Sequence, residues 1–271
     1  MTRPLVVFSH ANGFPAGTYR KFFSFLEPQV EIRAVDMYGH DPRFPINDNW
    51  GNLASELLAF VDEHCDRPAF LLGHSMGAVV SFIAAHRQPQ KFRGLVMMDP
   101  PVINGLEAQA FQVIKWLGRG DSMTPAGKSK HRRSHWPSRE VAIEELARKK
   151  LFAGVDPQCV HDYVHSVTEL RADGEYHLRY LVENEVQIFR TTPTDHWRYL
   201  RKLKIPGVVI TGEETEVSRP KPIGRLRRRH GMAHIATPGG HLFPLQHPQQ
   251  VAQLVLAQFA AMQQHEAQRD R

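Results

Sequence analysis

The sequence has only two cysteines among its 271 residues, Cys65 and Cys159. Two cysteines cannot build a disulfide framework, and neither lies in a C-x-x-C pair or in the Cys/His spacing of a zinc site. We therefore expect a protein of a reducing compartment, without structural zinc. The sequence also lacks any run of about 18 apolar residues, and its first residues lead almost directly into an apolar segment. It predicts a cytoplasmic protein with neither a signal peptide nor a membrane span.

Metal-binding and nucleic-acid-binding motifs are lacking as well. The 16 histidines include no H-E-x-x-H motif, so we predict neither a metal site nor a cofactor. The formal net charge is +6, and the basic residues concentrate at 128–133 and 225–230. Neither cluster is interleaved with aromatic side chains that could stack on bases. We expect solvated surfaces and no nucleic-acid partner, with anion binding as the alternative.

Short apolar runs alternate with helical patterns along most of the chain. The composition, 42% hydrophobic and 23% charged, is that of an ordinary globular protein. Continuous apolar runs are typical of a parallel sheet that is covered on both faces. The predicted strands cover 5–8, 30–36, 69–72, 94–98, 207–211 and 233–237, and the predicted helices cover 19–26, 52–64, 76–88, 223–230 and 248–264.

The alternation is lost between residues 102 and 203, where helical patterns dominate and predict helices over 107–116, 139–150 and 157–169. No low-complexity linker separates this segment from the rest, which indicates that it packs on the sheet. The sequence therefore predicts an α/β fold with a mostly parallel sheet of about six strands flanked by helices. Residues 1–101 and 204–271 form this core, and residues 102–203 form an inserted helical cap.

A G-x-S-x-G motif lies between a predicted strand and a predicted helix, in Gly73-His74-Ser75-Met76-Gly77. This context allows a serine to sit on a sharp, strained turn with its hydroxyl above the sheet. Side chains at Gly73 or Gly77 would collide with the neighbouring strand and helix. Ser75 is therefore the candidate nucleophile.

With Ser75 at this elbow, the sequence resembles the α/β-hydrolase superfamily over nearly the whole chain. The loop 9–15 is similar to the oxyanion loop of that family and to the His-Ala-Gly-Gly segment of type II thioesterases. The resemblance implies that the backbone N–H of Met76 stabilises the oxyanion together with an N–H from this loop, either Ala11 or Asn12. Superfamily members that open epoxides or remove halogens attack with a carboxylate, so a serine indicates acyl transfer.

His241 is the candidate general base. It follows the last predicted strand in Gly239-Gly240-His241-Leu242-Phe243-Pro244, which is similar to the G-x-G-H-x-x-P pattern of the family. A neutral imidazole can accept the serine proton and return it to the leaving group. His247 is the nearest rival, but it immediately precedes the predicted closing helix.

The third residue of the triad leaves alternatives open. The family usually carries an aspartate three residues after the glycine that follows the later core strand, and this chain has Thr215 there. We prefer Glu216, one residue further on. Asp99, at the end of the strand after the nucleophile helix, is the alternative acid. Glu213 and Glu214 are further candidates, and a site without an acid is the remaining possibility.

The cap is rich in large aromatic side chains, which would suit a substrate with an apolar group. They are Phe111, Trp116, Trp136, Phe152 and Trp197. The sequence predicts a cofactor-independent serine hydrolase that cleaves a small-molecule carboxylic ester or thioester. A carbon–carbon bond hydrolase or a perhydrolase with the same triad is an alternative, and a non-catalytic ligand-binding protein on the same scaffold is another.

Overall fold

The computed structural model describes residues 3–103, 105–117, 121, 124–195, 199 and 201–269. The strands of its large sheet are β1 (Leu5–Ser9), β2 (Glu31–Ala34), β3 (Ala69–His74), β4 (Phe92–Met98), β8 (Gly207–Gly212) and β9 (Ala233–Thr237). Their spatial order is β2-β1-β3-β4-β8-β9, and every neighbouring pair is parallel. The predicted six-stranded parallel sheet is confirmed.

Helices cover both faces of this sheet. They are α1 (Arg20–Leu26), α2 (Gly51–His64), α3 (Met76–Arg87), α9 (Pro220–His230), α10 (Phe243–Gln246) and α11 (Pro248–Arg269). Side chains of α1 and α11 share one core layer with Val6 and Phe8. Side chains of α2, α3 and α9 share the other layer with Leu5 and Val7. Successive side chains of a strand point to opposite faces, so a strand in this position must be apolar at every residue.

The segment between β4 and β8 contains helices and a second, smaller sheet. The helices are α4 (Leu106–Trp116), α5 (Ala126–Ser129), α6 (Arg139–Ala147), α7 (Pro157–Val167) and α8 (Val182–Arg190). The strands are β5 (His135–Trp136), β6 (Thr168–Leu170) and β7 (Tyr176–Leu178), which pair antiparallel in the order β5-β7-β6. The prediction described this segment as a helical cap and did not include its small sheet.

The ends of two predicted elements differ from the structure for local reasons. The helix predicted to end at Glu169 ends at Val167, because Thr168 begins β6. The β-branched Thr168 suits the strand, and its hydroxyl donates to the Val164 carbonyl at 2.7 Å. The helix predicted from Tyr19 begins at Arg20, after a 3-10 turn over Ala16–Tyr19.

No helix among the described residues combines the length and the hydrophobicity that crossing a bilayer requires.

Two imidazoles join α3 to α9. The ring centroids of His86 and His230 are 5.0 Å apart, and Phe82 lies 4.6 Å from His86. Burial, and to a smaller extent the neighbouring His230, lower the pKa of His86 from 6.5 to about 4. The folded state therefore holds His86 neutral at pH values at which the unfolded chain protonates it.

We expect the free energy of unfolding to fall as the pH decreases from about 6.5 to about 4, because the unfolded state then binds more protons than the folded state. His86→Phe removes one contributing imidazole and should reduce this loss by about 1 to 2 kcal/mol, after allowance for partial exposure. Urea unfolding at pH 7 and at pH 5 measures the change. His64→Phe is the matched control, because exposed His64 also makes an edge-to-face contact with a phenylalanine four residues earlier. Equal pH dependence in His86→Phe and the original chain would contradict the expectation.

Candidate active site

Ser75 occupies a strained turn between β3 and α3. Its φ and ψ are 54° and −120°, a conformation that is unfavourable for a residue with a Cβ atom. The turn is fixed by a hydrogen bond of 2.8 Å from the Ser75 N–H to the carbonyl of Met98, at the end of β4. Because α3 begins at Met76, the first N–H groups of this helix have no intrahelical acceptor and remain available beside the serine.

The two glycines of the motif allow the backbone segments around Ser75 to approach closely. A Cβ atom on Gly77 would lie 2.0 Å from the carbonyl oxygen of Ser9, and a Cβ atom on Gly73 would lie 2.4 Å from the carbonyl oxygen of Gly77. Both distances are far below van der Waals contact, and the neighbouring atoms belong to backbone. The glycines are therefore needed to pack the elbow against β1 and α3.

His241 lies between a hydroxyl and a carboxylate. Its Nε2 is 3.0 Å from the Ser75 Oγ, and its Nδ1 is 2.6 Å from the Asp99 Oδ2. A carboxylate can only accept, so Nδ1–H donates to Asp99, and Nε2 accepts from the Ser75 hydroxyl. The Asp99 side chain has no exposed surface. Three residues that are distant in the sequence thus form a continuous hydrogen-bonded array.

The structure places Asp99, and not the preferred Glu216, against His241. Glu216 is exposed, and so are Glu213 and Glu214. Thr215 turns inward, and its hydroxyl donates to the Asp99 Oδ2 at 2.5 Å. The residue in the usual acid position of the family therefore supports the carboxylate instead of supplying it.

Sequence spacing did not separate the two candidates because β4 and β8 are neighbours, and both end at the same edge of the sheet. A carboxylate after either strand could reach the loop of His241. Two features of Asp99 favour it: its position directly after the buried apolar run 95–98 that ends β4, and a φ of 46°. The first is visible in the sequence and could have raised the weight given to Asp99, since strand ends in α/β sheets commonly carry functional residues.

A buried chain of hydrogen bonds connects the first loop to the backbone of His241. His74 Nε2 is 2.9 Å from the His241 carbonyl oxygen, and His74 Nδ1 is 2.7 Å from the Tyr19 hydroxyl. The carbonyl can only accept, so Nε2 carries the hydrogen, and Nδ1 accepts from Tyr19. Burial lowers the pKa of His74 to about 3 and thereby keeps this ring neutral. His74, Tyr19 and the loop therefore fix the position of the His241 backbone.

The same chain distinguishes the two N–H groups of the first loop. The Ala11 N–H donates to the Tyr19 hydroxyl at 3.3 Å. The Asn12 N–H has no hydrogen-bond partner among the residues that the structure describes. Its side-chain amide donates to the Glu185 carbonyl at 3.0 Å, which holds the residue in place.

Residues of the inserted segment 102–203 contact the loop 9–15. Glu185 of α8 lies against Gly13, whose Cβ atom would be 3.0 Å from its Oε1. The Glu185 Oε2 accepts from Arg132 Nη1 at 2.9 Å and from the Tyr180 hydroxyl at 3.1 Å. Arg132 Nη2 also donates to the Tyr163 hydroxyl at 2.8 Å. We call Arg132, Tyr163, Tyr180 and Glu185 the roof cluster, because these four residues tie three segments of the cap together above the loop.

The aromatic residues expected to line the cap have different positions. Phe111, Trp136 and Phe152 are buried, whereas Trp116 is 82% exposed. The Phe152 ring packs against Tyr163 and against Phe14 of the first loop, with centroids 5.0 and 6.0 Å apart. Trp197 lies outside the described residues. The three buried rings therefore contribute to packing, and an apolar substrate pocket stays a prediction.

The chain matches the alpha/beta hydrolase family over residues 6–254 and belongs to that family. Among its relatives, the monoglyceride lipase of Mus musculus is 30% identical over 115 residues, which are 39% of this chain and 38% of that protein. The matching part thus spans about two fifths of the length of that lipase. These findings support a hydrolase.

Solved structures share the fold along nearly the whole chain. An E-2-(acetamidomethylene)succinate hydrolase superposes with a TM-score of 0.74 at 17% identity, covering 94% of this chain and 90% of the other. The thioesterase domain from the curacin biosynthetic pathway superposes with a TM-score of 0.70 at 17% identity, covering 94% and 91%. At this identity, the likeness shows the fold alone.

We expect Gly77→Ala to lower the free energy of unfolding by about 3 kcal/mol or more, because the added methyl group must displace the backbone of Ser9. Denaturant unfolding followed by circular dichroism measures the change. The control is Gly224→Ala on α9, where the added Cβ atom would meet only the Arg228 guanidinium, at 3.4 Å. That variant should be neutral or slightly more stable, since alanine favours helix. An equally small effect of both substitutions would contradict the packing argument.

Proposed function

We propose that this protein is a serine hydrolase that cleaves a carboxylic ester or thioester through an acyl-enzyme on Ser75. The observation that carries the proposal is the continuous array from the Ser75 hydroxyl through His241 to the buried Asp99 carboxylate. Such an array generates a nucleophilic serine, which neither a binding protein nor a purely structural domain requires. The lipase and thioesterase among the similar proteins are consistent with this chemistry.

In the proposed reaction, the Ser75 oxygen attacks the acyl carbonyl while Nε2 of His241 accepts its proton. Asp99 holds the imidazole in the required tautomer and stabilises the imidazolium that forms. The imidazolium then protonates the leaving alcohol or thiol as the tetrahedral intermediate collapses to the acyl-enzyme. A water molecule, deprotonated by His241, attacks the acyl-enzyme and releases the acid and free Ser75.

We assign the oxyanion to the N–H groups of Met76 and Asn12. The Met76 N–H is the first of α3 and has no intrahelical acceptor. Of the two loop candidates, Ala11 already donates to Tyr19, whereas the Asn12 N–H is unpaired among the described residues. Two fixed donors of this kind typically contribute about 10²–10³ in rate each.

The alternatives differ in how well they agree with the site. The main reason for a non-catalytic binding protein was the threonine in the usual acid position, and Asp99 supplies a carboxylate from another strand. Carbon–carbon bond hydrolysis or perhydrolysis would use the same array, so substrate tests must separate these reactions from ester hydrolysis. An apolar group on the substrate remains part of the proposal.

The first test concerns the nucleophile. Ser75→Ala should lower kcat/KM for p-nitrophenyl esters and acyl thioesters by at least about 10⁴-fold, because the Ser75 Oγ is the hydroxyl that His241 Nε2 contacts among the described residues. A fluorophosphonate probe should label the original chain rapidly and the variant not at all, as mass spectrometry of the labelled peptide would show. Ser24→Ala, at an exposed serine of α1, is the control and should keep both properties. Unchanged hydrolysis by Ser75→Ala would refute the proposal.

The second test concerns the acid. Asp99→Asn should lower kcat by about 10⁴-fold, because an amide at this position favours the wrong imidazole tautomer. Glu216→Gln should change kcat by less than about twofold, since this exposed carboxylate does not contact His241. Burst kinetics with a p-nitrophenyl ester measure both variants, and circular dichroism checks that each is folded. A large loss in Glu216→Gln together with an active Asp99→Asn would show that the acid follows β8.

A further inference from the structure

Four potential metal ligands meet at one end of the small cap sheet. His135 of β5 and His177 of β7 are register partners, with ring centroids 5.5 Å apart and ring planes 23° apart. His177 Nε2 is 2.8 Å from the Asp173 Oδ2, and His135 Nε2 is 3.9 Å from the Glu175 Oε2. The ligand atoms of Asp173, Glu175 and His177 all lie within 4.8 Å of one another, whereas His135 lies outside this compact group and approaches it through Glu175. Both imidazoles thus present Nε2 to a carboxylate.

These carboxylates are not part of the ordinary ion pairs of a basic protein. Although the chain has 34 lysines and arginines, Asp173 and Glu175 have only imidazoles as ionic partners among the described residues. The arginines nearest in the sequence have other carboxylate partners. They are Arg133 with Glu145, Arg171 with Glu169 and Arg179 with Asp36. The two imidazoles and two carboxylates are therefore available to a cation.

The turn between β6 and β7 holds the acidic ligands in place. The Glu175 N–H donates to the Asp173 Oδ1 at 3.0 Å, which leaves the Oδ2 free to face His177. The turn closes with a hydrogen bond of 2.9 Å from the Arg171 N–H to the Glu175 carbonyl. The ligand set is therefore built on a hairpin and on a strand paired to it, and it does not depend on a flexible tail.

We propose that His135, Asp173, Glu175 and His177 bind a divalent transition-metal ion of the Zn²⁺ type. Two imidazoles with two carboxylates favour Zn²⁺, Cu²⁺ or Ni²⁺ over Mg²⁺ or Ca²⁺, which prefer oxygen ligands alone. Tetrahedral Zn²⁺ with bonds of about 2.0–2.2 Å requires ligand atoms about 3.3–3.5 Å apart. The Asp173–His177 separation of 2.8 Å is close to this value, and His135, 3.9 Å from Glu175 and 53% exposed, must rotate toward the other three side chains to complete the set.

This site differs from our expectation that the protein has no metal site. Its members come from two segments that the sequence separates by α6 and α7, so local histidine spacing does not reveal them.

The proposed metal site also lies close in the sequence to two residues of the roof cluster. Arg132 precedes His135 by three residues, and Tyr180 follows His177 by three residues, and these two roof residues are hydrogen-bonded to each other. A bound ion would therefore join the two segments that carry the roof cluster.

The test is a titration of the full-length, untagged and chelator-treated chain with ZnCl₂ by isothermal calorimetry at pH 7. We expect one saturable site and a higher Tm with Zn²⁺ than without it. His135→Ala and His177→Ala should each weaken Zn²⁺ binding by at least about 10- to 100-fold, since even indirect partners of a metal site have effects of this size. Cu²⁺ in the same site should show coupling to two imidazole nitrogens in its electron paramagnetic resonance spectrum, and to one nitrogen in either variant.

The matched control is His161→Ala/His165→Ala. These two exposed imidazoles stack on α7 with centroids 4.3 Å apart and form the competing histidine pair in the cap. The double variant should retain the site and the Tm increase. Loss of Zn²⁺ binding in this variant, with full binding in His135→Ala and His177→Ala, would overturn the proposal. The absence of saturable binding to the original chain would overturn it as well. Ester hydrolysis is not the readout, so the result does not depend on the proposed function.

Discussion

The hydrogen bond from the Ser75 N–H to the Met98 carbonyl joins the ends of the two central strands, and the geometry of the site depends on it. It fixes the turn that exposes the serine and also the position of Asp99, which directly follows Met98 at the end of β4. The Asp99 N–H in turn donates to Ile210 of β8 at 2.8 Å. Ser75 and Asp99 both have a positive φ, which strains the backbone. The hydrogen bonds of a parallel sheet that is buried on both faces balance this strain. A rigid centre of this kind can hold three side chains in one hydrogen-bonded line.

The fold was predictable because its determinants are local. Apolar runs such as 5–8 of β1 and 69–72 of β3 indicate buried parallel strands, and the glycine motif marks the turn between β3 and α3. The small cap sheet was missed because strands of two or three residues, such as β5 and β7, are too short to show an alternating pattern. β6 and β7 form a local hairpin, but β5 pairs with β7 across α6 and α7, and no single window of sequence contains that pairing.

The site was predictable only in part, for a different reason. Ser75 and His241 each lie in a motif whose residues are required by their own backbone geometry. The carboxylate needs only to reach His241 Nδ1, and two neighbouring strands end close enough to supply it. The choice depends on which side chain turns inward, and that choice is made by the Thr215 hydroxyl and the burial of Asp99. Likewise, the distinction between Ala11 and Asn12 depends on the Tyr19 hydroxyl, which belongs to another part of the chain.

Asp99 directly follows β4 and so precedes the cap in the sequence. This order affects how the cap can vary. In the usual arrangement of the family, the acid and the base both follow the inserted segment. Any replacement of the cap must then keep both of these residues in their positions at the site. Here the serine and the carboxylate both precede the insertion, on successive strands, and only His241 follows it. In the proposed enzyme, the exposed glutamates after β8 take no part in the triad. In the proposed enzyme, an exchange of the cap during evolution would change the substrate range. Such an exchange can therefore displace one residue of the triad instead of two.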